Sequence, residues 1–299
     1  MNNSRNPNDK EVGVVGQISE PTVLNALNLA RTGRVYDLDS KRWHHMPVAP
    51  EHPSFEILSY RTPLGLKNQG DVKWLTKDNE ANLSVLSDIV IGGTHTGTHL
   101  DALSHVCCGP NEEWFGGYNA KQHIGDFGPL KSDASTIPPI ITRGILIDIA
   151  GFQEVRALPS GYTITFEDIE GAIAKQGIEI NRYDAVMIRT GYMSLWPDID
   201  KSKAHAGAGI GLDTALILAE LGIALAGSDT EGFERHPSAD PKNPLPVHTE
   251  FLVKRGIHIM ELVNLESLAE DRVYEFCFIC LPLPICGATG SMARPIALV

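Results

Sequence analysis

A short segment rich in histidine places the strongest constraint on how this chain of 299 residues can fold. From Gly92 to His105 the sequence reads GGTHTGTHLDALSH, with three histidines and one aspartate within eleven residues. Neutral imidazole and carboxylate are the usual ligands of zinc and manganese. The segment therefore predicts a metal site made by His95, His99 and Asp101, which a tight turn at the glycines can bring onto one ion. The alternative, a polar loop with surface histidines, fits this spacing less well.

From Arg143 onward, apolar strand patterns alternate with helical patterns. The predicted strands are 145–149, 185–188, 223–226, 256–263 and 274–281, and the predicted helices are 165–176 and 213–221. Before this region we expect a helix at 21–31, loops with short strands at 34–70 and a strand at 84–91. The alternation predicts the α/β class with a mixed or parallel sheet. We expect a flexible N-terminal arm at 1–20 and a single domain at 21–299.

Composition excludes several functional classes. The net charge is −12 and no run of Lys or Arg occurs, so we expect neither a nucleic-acid partner nor attachment to an anionic membrane. The N-terminus lacks an apolar signal region, no apolar stretch is long enough to span a bilayer, and a cytoplasmic location is predicted. Five clustered cysteines do not suggest a disulfide framework, and Cys277 and Cys280 are expected in the core. At Gly207-Ala208-Gly209 no serine stands where an acyl-enzyme nucleophile would lie.

The string HTGTHLDALSH resembles the H-x-G-T-H-x-D-x-P-x-H signature of the cyclase family, which includes kynurenine formamidase and isatin hydrolase. Leu103 replaces the proline of that signature. The similarity continues in order through about residues 34–285, including the segments YDL, RGILID, AGSD and PVHTEFLVKRGIHIMELVNLESL. The resemblance implies a swivelling β/β/α-type fold, a mixed sheet, and a homodimer or homotetramer.

The resemblance also assigns roles. It implies that His105 transfers protons beside the metal and that His248 and Glu261 help bind a second ion bridged by Asp101. Independently, Glu261 lies in the apolar run IHIMELV, where a buried carboxylate needs a cation, another partner or a route to solvent. From the residues alone, His248 could equally be a surface histidine. One or two divalent ions, zinc or manganese, are therefore expected.

The predicted function is hydrolysis of an amide, cyclic imide, lactam or lactone by metal-activated water, with His105 as the proton-transfer residue. The alternatives are a metal-dependent cyclase or lyase and a ligand-binding relative without activity. The substrate is expected to be a small molecule, either aromatic or cyclic. Five aromatic residues are candidates for an aromatic pocket wall, with the core as the alternative: Trp43, Trp74, Trp114, Phe115 and Tyr118. Asp148 and Asp229, at strand ends, are predicted to hold turns.

Overall fold

The computed structural model describes residues 10–75 and 79–299. The strands are β1 (Val35–Asp37), β2 (Glu56–Arg61), β3 (Ser87–Ile91), β4 (His99–Asp101), β5 (Glu113–Trp114), β6 (Tyr118–Asn119), β7 (Ile124–Gly125), β8 (Gly128–Pro129), β9 (Ile140–Asp148), β10 (Thr163–Ile164), β11 (Ala185–Arg189), β12 (Gly209–Ile210), β13 (Leu225–Ser228), β14 (His258–Glu261), β15 (Glu275–Cys280), β16 (Gly290–Met292) and β17 (Ile296–Leu298). The α-helices are α1 (Glu20–Leu27), α2 (Pro63–Gln69), α3 (Ala120–His123), α4 (Ile149–Phe152), α5 (Phe166–Gln176), α6 (Ile199–Ser202), α7 (Leu212–Glu220), α8 (Pro246–His248) and α9 (Glu266–Glu270).

One large mixed sheet organises the molecule. Its strand order within the described residues is β1-β17-β15-β9-β11-β13-β14-β4-β16. The central strands β9, β11, β13 and β14 are parallel, whereas β15, β17, β4 and β16 pair antiparallel with their neighbours. The predicted α/β single domain with a mixed sheet is therefore confirmed.

Both faces of the central sheet are buried, which explains the nearly continuous apolar run in β9. Ile145 and Ile147 belong to a core cluster that includes Ile169 of α5. Leu146 points to the opposite face and belongs to a second cluster with Leu268 of α9. Because successive strand residues alternate between faces, one strand supplies both cores.

The residues predicted to begin and end helix α5 make the expected contacts. Thr165 Oγ1 accepts a hydrogen bond from the Asp168 amide at 3.2 Å, and the Asp168 carboxylate accepts one from the Thr165 amide at 3.0 Å. This reciprocal capping box starts the helix, and Gly177 ends it with φ of 69°. Cys277 and Cys280 are free and buried in β15, as predicted.

The aspartates at the ends of the central strands hold turns. Asp148 accepts a hydrogen bond from the Gly151 amide at 2.9 Å and pairs with Arg189 at 2.8 Å. Asp229 accepts three hydrogen bonds of 2.8 Å, from the Thr190 amide, the Thr190 hydroxyl and the Gly191 amide. Their structural roles are those predicted from the sequence.

Two segments differ from the sequence-based expectation. Residues 1–9 of the expected arm lie outside the described residues, whereas Val14–Gln17 forms a 3-10 helix with Val15 fully buried. The Val14 amide also donates to the carbonyl of Gly256 at 2.8 Å, so residues 13–18 are packed rather than loose. Within 34–70, helix α2 was not predicted; Thr62 caps its start and Gly70, with φ of 59°, ends it.

Strands β2 and β3 form a separate two-stranded ribbon. Leu58 and Ile89 are a cross-strand pair, and they are 46% and 43% exposed. Neighbouring Tyr60 and Ile91 are 61% and 52% exposed, so the ribbon presents a large apolar surface to solvent. Elsewhere in the described ranges, no helix has both the length and the apolar character needed to cross a bilayer.

Candidate metal centre

The centre is built where strand β4 pairs antiparallel with β14. His99 and Asp101 are two residues apart in β4, so their side chains share one face of the strand, while Leu100 points into the core. In the pairing register, Glu261 lies directly opposite His99. The two-residue spacing in β4 and one cross-strand pair thus bring three candidate ligands together.

His95 reaches the same point from the turn before β4. Gly97 sits in this turn with φ of 61°, and a Cβ atom there would lie 3.0 Å from Ser40 Oγ. Arg42 supports the turn from outside, because its Nε donates to the carbonyl of Thr96 at 2.9 Å. The glycine of the motif is therefore needed both for its backbone conformation and for the close approach of Ser40.

His95 and His99 each have one ring nitrogen held by the protein. His95 Nε2 lies 2.9 Å from Thr289 Oγ1, and His99 Nδ1 lies 2.8 Å from the carbonyl oxygen of Gly97. The remaining nitrogens, His95 Nδ1 and His99 Nε2, face Asp101 Oδ1 at 2.9 and 3.6 Å. Such contacts to the far nitrogen fix ring orientation and tautomer in metal sites.

Asp101 is shared by two groups of donors. Its Oδ1 faces His95 and His99, and its Oδ2 lies 3.8 Å from His248 Nε2. Glu261 joins the groups, with Oε1 3.3 Å from His248 Nε2 and Oε2 3.4 Å from His99 Nε2. In each set, His95–His99–Asp101 and Asp101–His248–Glu261, the ligand atoms lie within 4.8 Å of one another, and all five residues are buried.

Three of the donor atoms fit a divalent cation because the part of the protein that the structure describes leaves them without a hydrogen-bond partner. Among the described residues, neither Asp101 oxygen nor His95 Nδ1 has a hydrogen-bond partner, and the 2.9 Å approach between Oδ1 and Nδ1 is not aligned as a hydrogen bond. A buried carboxylate without hydrogen bonds or a counter-charge is costly. Zinc or manganese between these atoms would remove that cost, and imidazole with carboxylate is a donor set that suits either ion.

The electrostatics keep His99 and Asp101 in their metal-binding forms, whereas His248 is protonated near pH 7 in the metal-free protein and must lose a proton to bind metal. Burial lowers the pKa of His99 to about 3, so the ring is neutral near pH 7. Burial alone would raise the pKa of Asp101, but the surrounding His105, His95 and His99 outweigh it and hold that pKa far below its usual range. Neutral imidazole and ionised carboxylate are the states that bind metal.

His248 is positioned by Glu234, a residue that the sequence did not single out. Pro246 begins α8, and the Glu234 carboxylate caps the helix by accepting hydrogen bonds from the Val247 and His248 amides at 3.1 and 2.9 Å. Glu234 Oε1 also lies 2.5 Å from His248 Nδ1, which leaves Nε2 facing Asp101 and Glu261. Burial lowers the pKa of His248, but hydrogen bonds to Glu234 and Glu261 outweigh that effect and raise the pKa to about 10.

His105 lies beside the donors but belongs to neither set. Its ring centroid is 4.1 Å from that of His95 and 6.4 Å from that of His248. Burial lowers its pKa to about 4, so its ring is neutral near pH 7 and can accept a proton. This position is compatible with the proton-transfer role that the resemblance implies, and that role stays a prediction.

A cavity of about 430 Å³ opens over the centre. One wall is the loop Pro47–His52, and His52 stacks on His95 with ring centroids 4.9 Å apart and planes 9° apart. The opposite wall includes Tyr192 and Glu231, whose side chains are 3.0 Å apart between Tyr192 Oη and Glu231 Oε1. Nothing in the sequence near His52 distinguishes it from a surface histidine, since its place depends on the path of the whole loop.

The prediction that five aromatic residues form a wall of the pocket is wrong for this cavity, as far as its described lining residues show. That lining contains none of the five suggested aromatic residues, Trp43, Trp74, Trp114, Phe115 and Tyr118, and its large aromatic side chain is Tyr192. Trp114 is buried beside Tyr118, Phe115 packs against the core, and Trp74 is 70% exposed. The aromatic residues that follow the motif in sequence pack against one another and the core instead of lining the cavity.

Comparison with known proteins places this geometry in a family. The sequence profile of the Cyclase family matches residues 36–235, whereas no curated protein matches the chain. A solved structure described as a novel cyclase has a TM-score of 0.84 and 29% identity, covering 97% of each chain. Isatin hydrolase A from Labrenzia aggregata, bound to benzyl benzoate, has a TM-score of 0.65 and 21% identity over 92% of this chain and 98% of the other. A "potential metal-dependent hydrolase with cyclase activity" has a TM-score of 0.52 and 18% identity over 88% of this chain and 98% of the other.

The profile match covers more than half of the chain and includes the motif and Glu234. It ends before His248 and Glu261, so their place in the centre rests on the geometry described above. The α/β fold with its large mixed sheet is that of the matching cyclase structures. The chain belongs to the Cyclase family.

Proposed function

We propose that this protein is a metal-dependent hydrolase that opens an amide, cyclic imide, lactam or lactone. The observation that carries the proposal is Asp101, a buried carboxylate whose two oxygens face two different donor sets and lack hydrogen-bond partners among the described residues. A structural ion pair would satisfy those oxygens within the protein, whereas a pair of metal ions would use both. The fold shared with isatin hydrolase structures supports hydrolysis as the reaction class.

The residues of the centre have separate roles in metal binding and proton transfer. His95, His99 and Asp101 would hold one ion, and Asp101, His248 and Glu261 a second. When bound, such ions lower the pKa of a coordinated water and polarise a substrate carbonyl. His105, neutral and at the edge of the donor sets, accepts a proton during attack and returns it to the leaving nitrogen or oxygen.

The cavity lining favours neutral or cationic substrates. Of the described residues that line it, none is lysine or arginine, whereas Glu51 and Glu231 are acidic and lie away from the donor sets. Tyr192 Oη donates to Glu231 Oε1, and the remaining lone pairs of this carboxylate can accept a hydrogen bond from a substrate N–H. A substrate carboxylate placed beside Glu51 or Glu231 would meet like charge. We therefore propose a small ring or amide with an N–H group.

A substrate screen on metal-loaded protein tests the proposal. Zinc- and manganese-loaded samples would be offered matched formamides, cyclic imides, lactams and lactones, in water enriched with oxygen-18. Ring opening or deformylation with one labelled oxygen in the product is expected. Metal-dependent turnover without label would instead indicate a cyclase or lyase, and tight ligand binding without turnover would indicate a binding protein.

A further inference from the structure

A second cluster of possible metal ligands lies outside the centre, at the neck of the loop that covers the cavity. The chain enters this loop after His44 and His45 and leaves it at Phe55 and Glu56, the first residue of β2. The His45 amide donates to the carbonyl of Phe55 at 2.9 Å and closes the neck. The side chains of His44, His45 and Glu56 therefore come together where the two ends of the loop meet.

The cluster has the composition of a three-ligand site, and an ion on His44 Nδ1 would displace the Ile57 amide, which donates to that nitrogen at 3.3 Å. Glu56 Oε2 lies 3.0 Å from His44 Nδ1, and Glu56 Oε1 lies 3.2 Å from His45 Nδ1. The ligand atoms all lie within 4.8 Å of one another, and the two imidazole centroids are 4.0 Å apart. Ser54 Oγ donates to Glu56 Oε1 at 2.6 Å and fixes the carboxylate, as supporting residues do in metal sites.

His45 adds an observation from the backbone. It has φ of 60°, a conformation uncommon for residues with a side chain. This conformation accompanies the turn that places two consecutive histidines, whose side chains would diverge in an extended strand, on the same carboxylate. The local backbone is thus shaped in a way that brings both rings onto Glu56.

We propose that His44, His45 and Glu56 form a separate binding site for a late first-row divalent cation such as zinc. Two imidazoles and one carboxylate suit zinc, nickel and copper better than magnesium or calcium. The rings are 48% and 68% exposed, so the site is open to solvent and exchanges its ion more readily than the buried centre. A bound ion would tie residues 44–45 to residue 56 and restrain the loop that carries His52 over His95. The site does not depend on the proposed hydrolase function.

Bound zinc per chain, measured over a series of chelator-buffered free zinc concentrations, tests this site. The samples would be the wild type, Glu56→Gln, and His45→Asn, in which asparagine tolerates the positive φ. Glu167→Gln is the matched control, because Glu167 is an exposed carboxylate in the first turn of α5. The wild type and the control should bind one more zinc per chain than Glu56→Gln and His45→Asn. In these two variants, the affinity for the extra ion should be more than about tenfold lower than in the wild type.

Hydrogen exchange gives an independent readout. Filling the extra site should slow amide exchange in residues 46–55 of the wild type but not of Glu56→Gln. Circular dichroism and thermal melting of the same samples would establish that the variants are folded. Equal zinc stoichiometry in the wild type and both variants across the whole series, or equal loop exchange with and without zinc, would overturn the proposal.

Discussion

Replacing Glu234 with glutamine tests whether the second donor set is built around a positioned histidine. The carboxylate accepts hydrogen bonds from the Val247 and His248 amides and faces His248 Nδ1 at 2.5 Å. The side-chain oxygen of glutamine can accept some of these hydrogen bonds, but the glutamine NH₂ group would face at least one of the N–H groups. A buried N–H without an acceptor costs about 1–3 kcal/mol.

The same substitution also removes the contact that fixes the orientation of the His248 ring. Loss of the group that holds the far ring nitrogen typically weakens metal affinity about 10–100-fold. We therefore expect Glu234→Gln, made like its control in a Glu56→Gln background that removes the loop-neck site, to bind the second zinc or manganese equivalent that much more weakly. The first equivalent should be little changed in calorimetric titrations of metal-free protein.

A matched control lies directly after α8, in the π-helix Thr249–Arg255. Glu250 is also buried, but its carboxylate pairs with Lys254 at 3.0 Å and Arg255 at 2.9 Å, away from the cavity. Glu250→Gln should lose a comparable amount of stability while keeping both metal equivalents. If folded Glu234→Gln bound the second equivalent as tightly as the Glu250→Gln control, the account of His248 positioning would be refuted.

Four further predictions follow from the same structure. His105→Asn should lower kcat about 10²–10⁴-fold with unchanged metal content, measured by steady-state kinetics beside elemental analysis. Glu231→Gln should reduce the preference for N–H-bearing lactams over the matching lactones, read as a ratio of kcat/KM values. In metal-free protein, the raised pKa of His248 stabilises the fold fully below its unfolded value of about 6.5, and this contribution is lost as pH rises through about 10. Urea unfolding of the wild type should therefore depend more steeply on pH in that window than unfolding of His248→Asn. We propose that the exposed apolar ribbon is the contact of the expected homo-oligomer; Leu58→Glu should then shift the protein towards monomer in light scattering, because a charge in a buried apolar contact is unfavourable.

The part of the centre that could be predicted from the sequence is local. His99 and Asp101 share a face because they are two residues apart in a strand, and His95 joins them through one glycine turn. The capping box of α5 and the buried cysteines of β15 were predictable for the same reason, since their determinants lie within a few residues.

What could not be predicted depends on long-range contacts. Glu261 was named as a candidate ligand from the sequence, but its contact with His99 depends on the antiparallel pairing of β14 with β4. Thr289 reaches His95 across 194 residues of sequence. Glu234 precedes His248 by fourteen residues, with no periodic pattern linking them. The 3-10 helix around Val15 escaped prediction because four residues are too few for a periodic pattern, and the segment gains its order from docking against Gly256.

Metal stoichiometry at the shared aspartate tests the central claim most directly. The measurement is zinc or manganese bound per chain in a Glu56→Gln background, which removes the site proposed at the loop neck. The account predicts two equivalents in that background, one in the additional presence of His248→Asn, and none when Asp101→Asn is added instead. Full metal content in folded Asp101→Asn, or no metal in the parent protein after zinc and manganese are supplied, would contradict it.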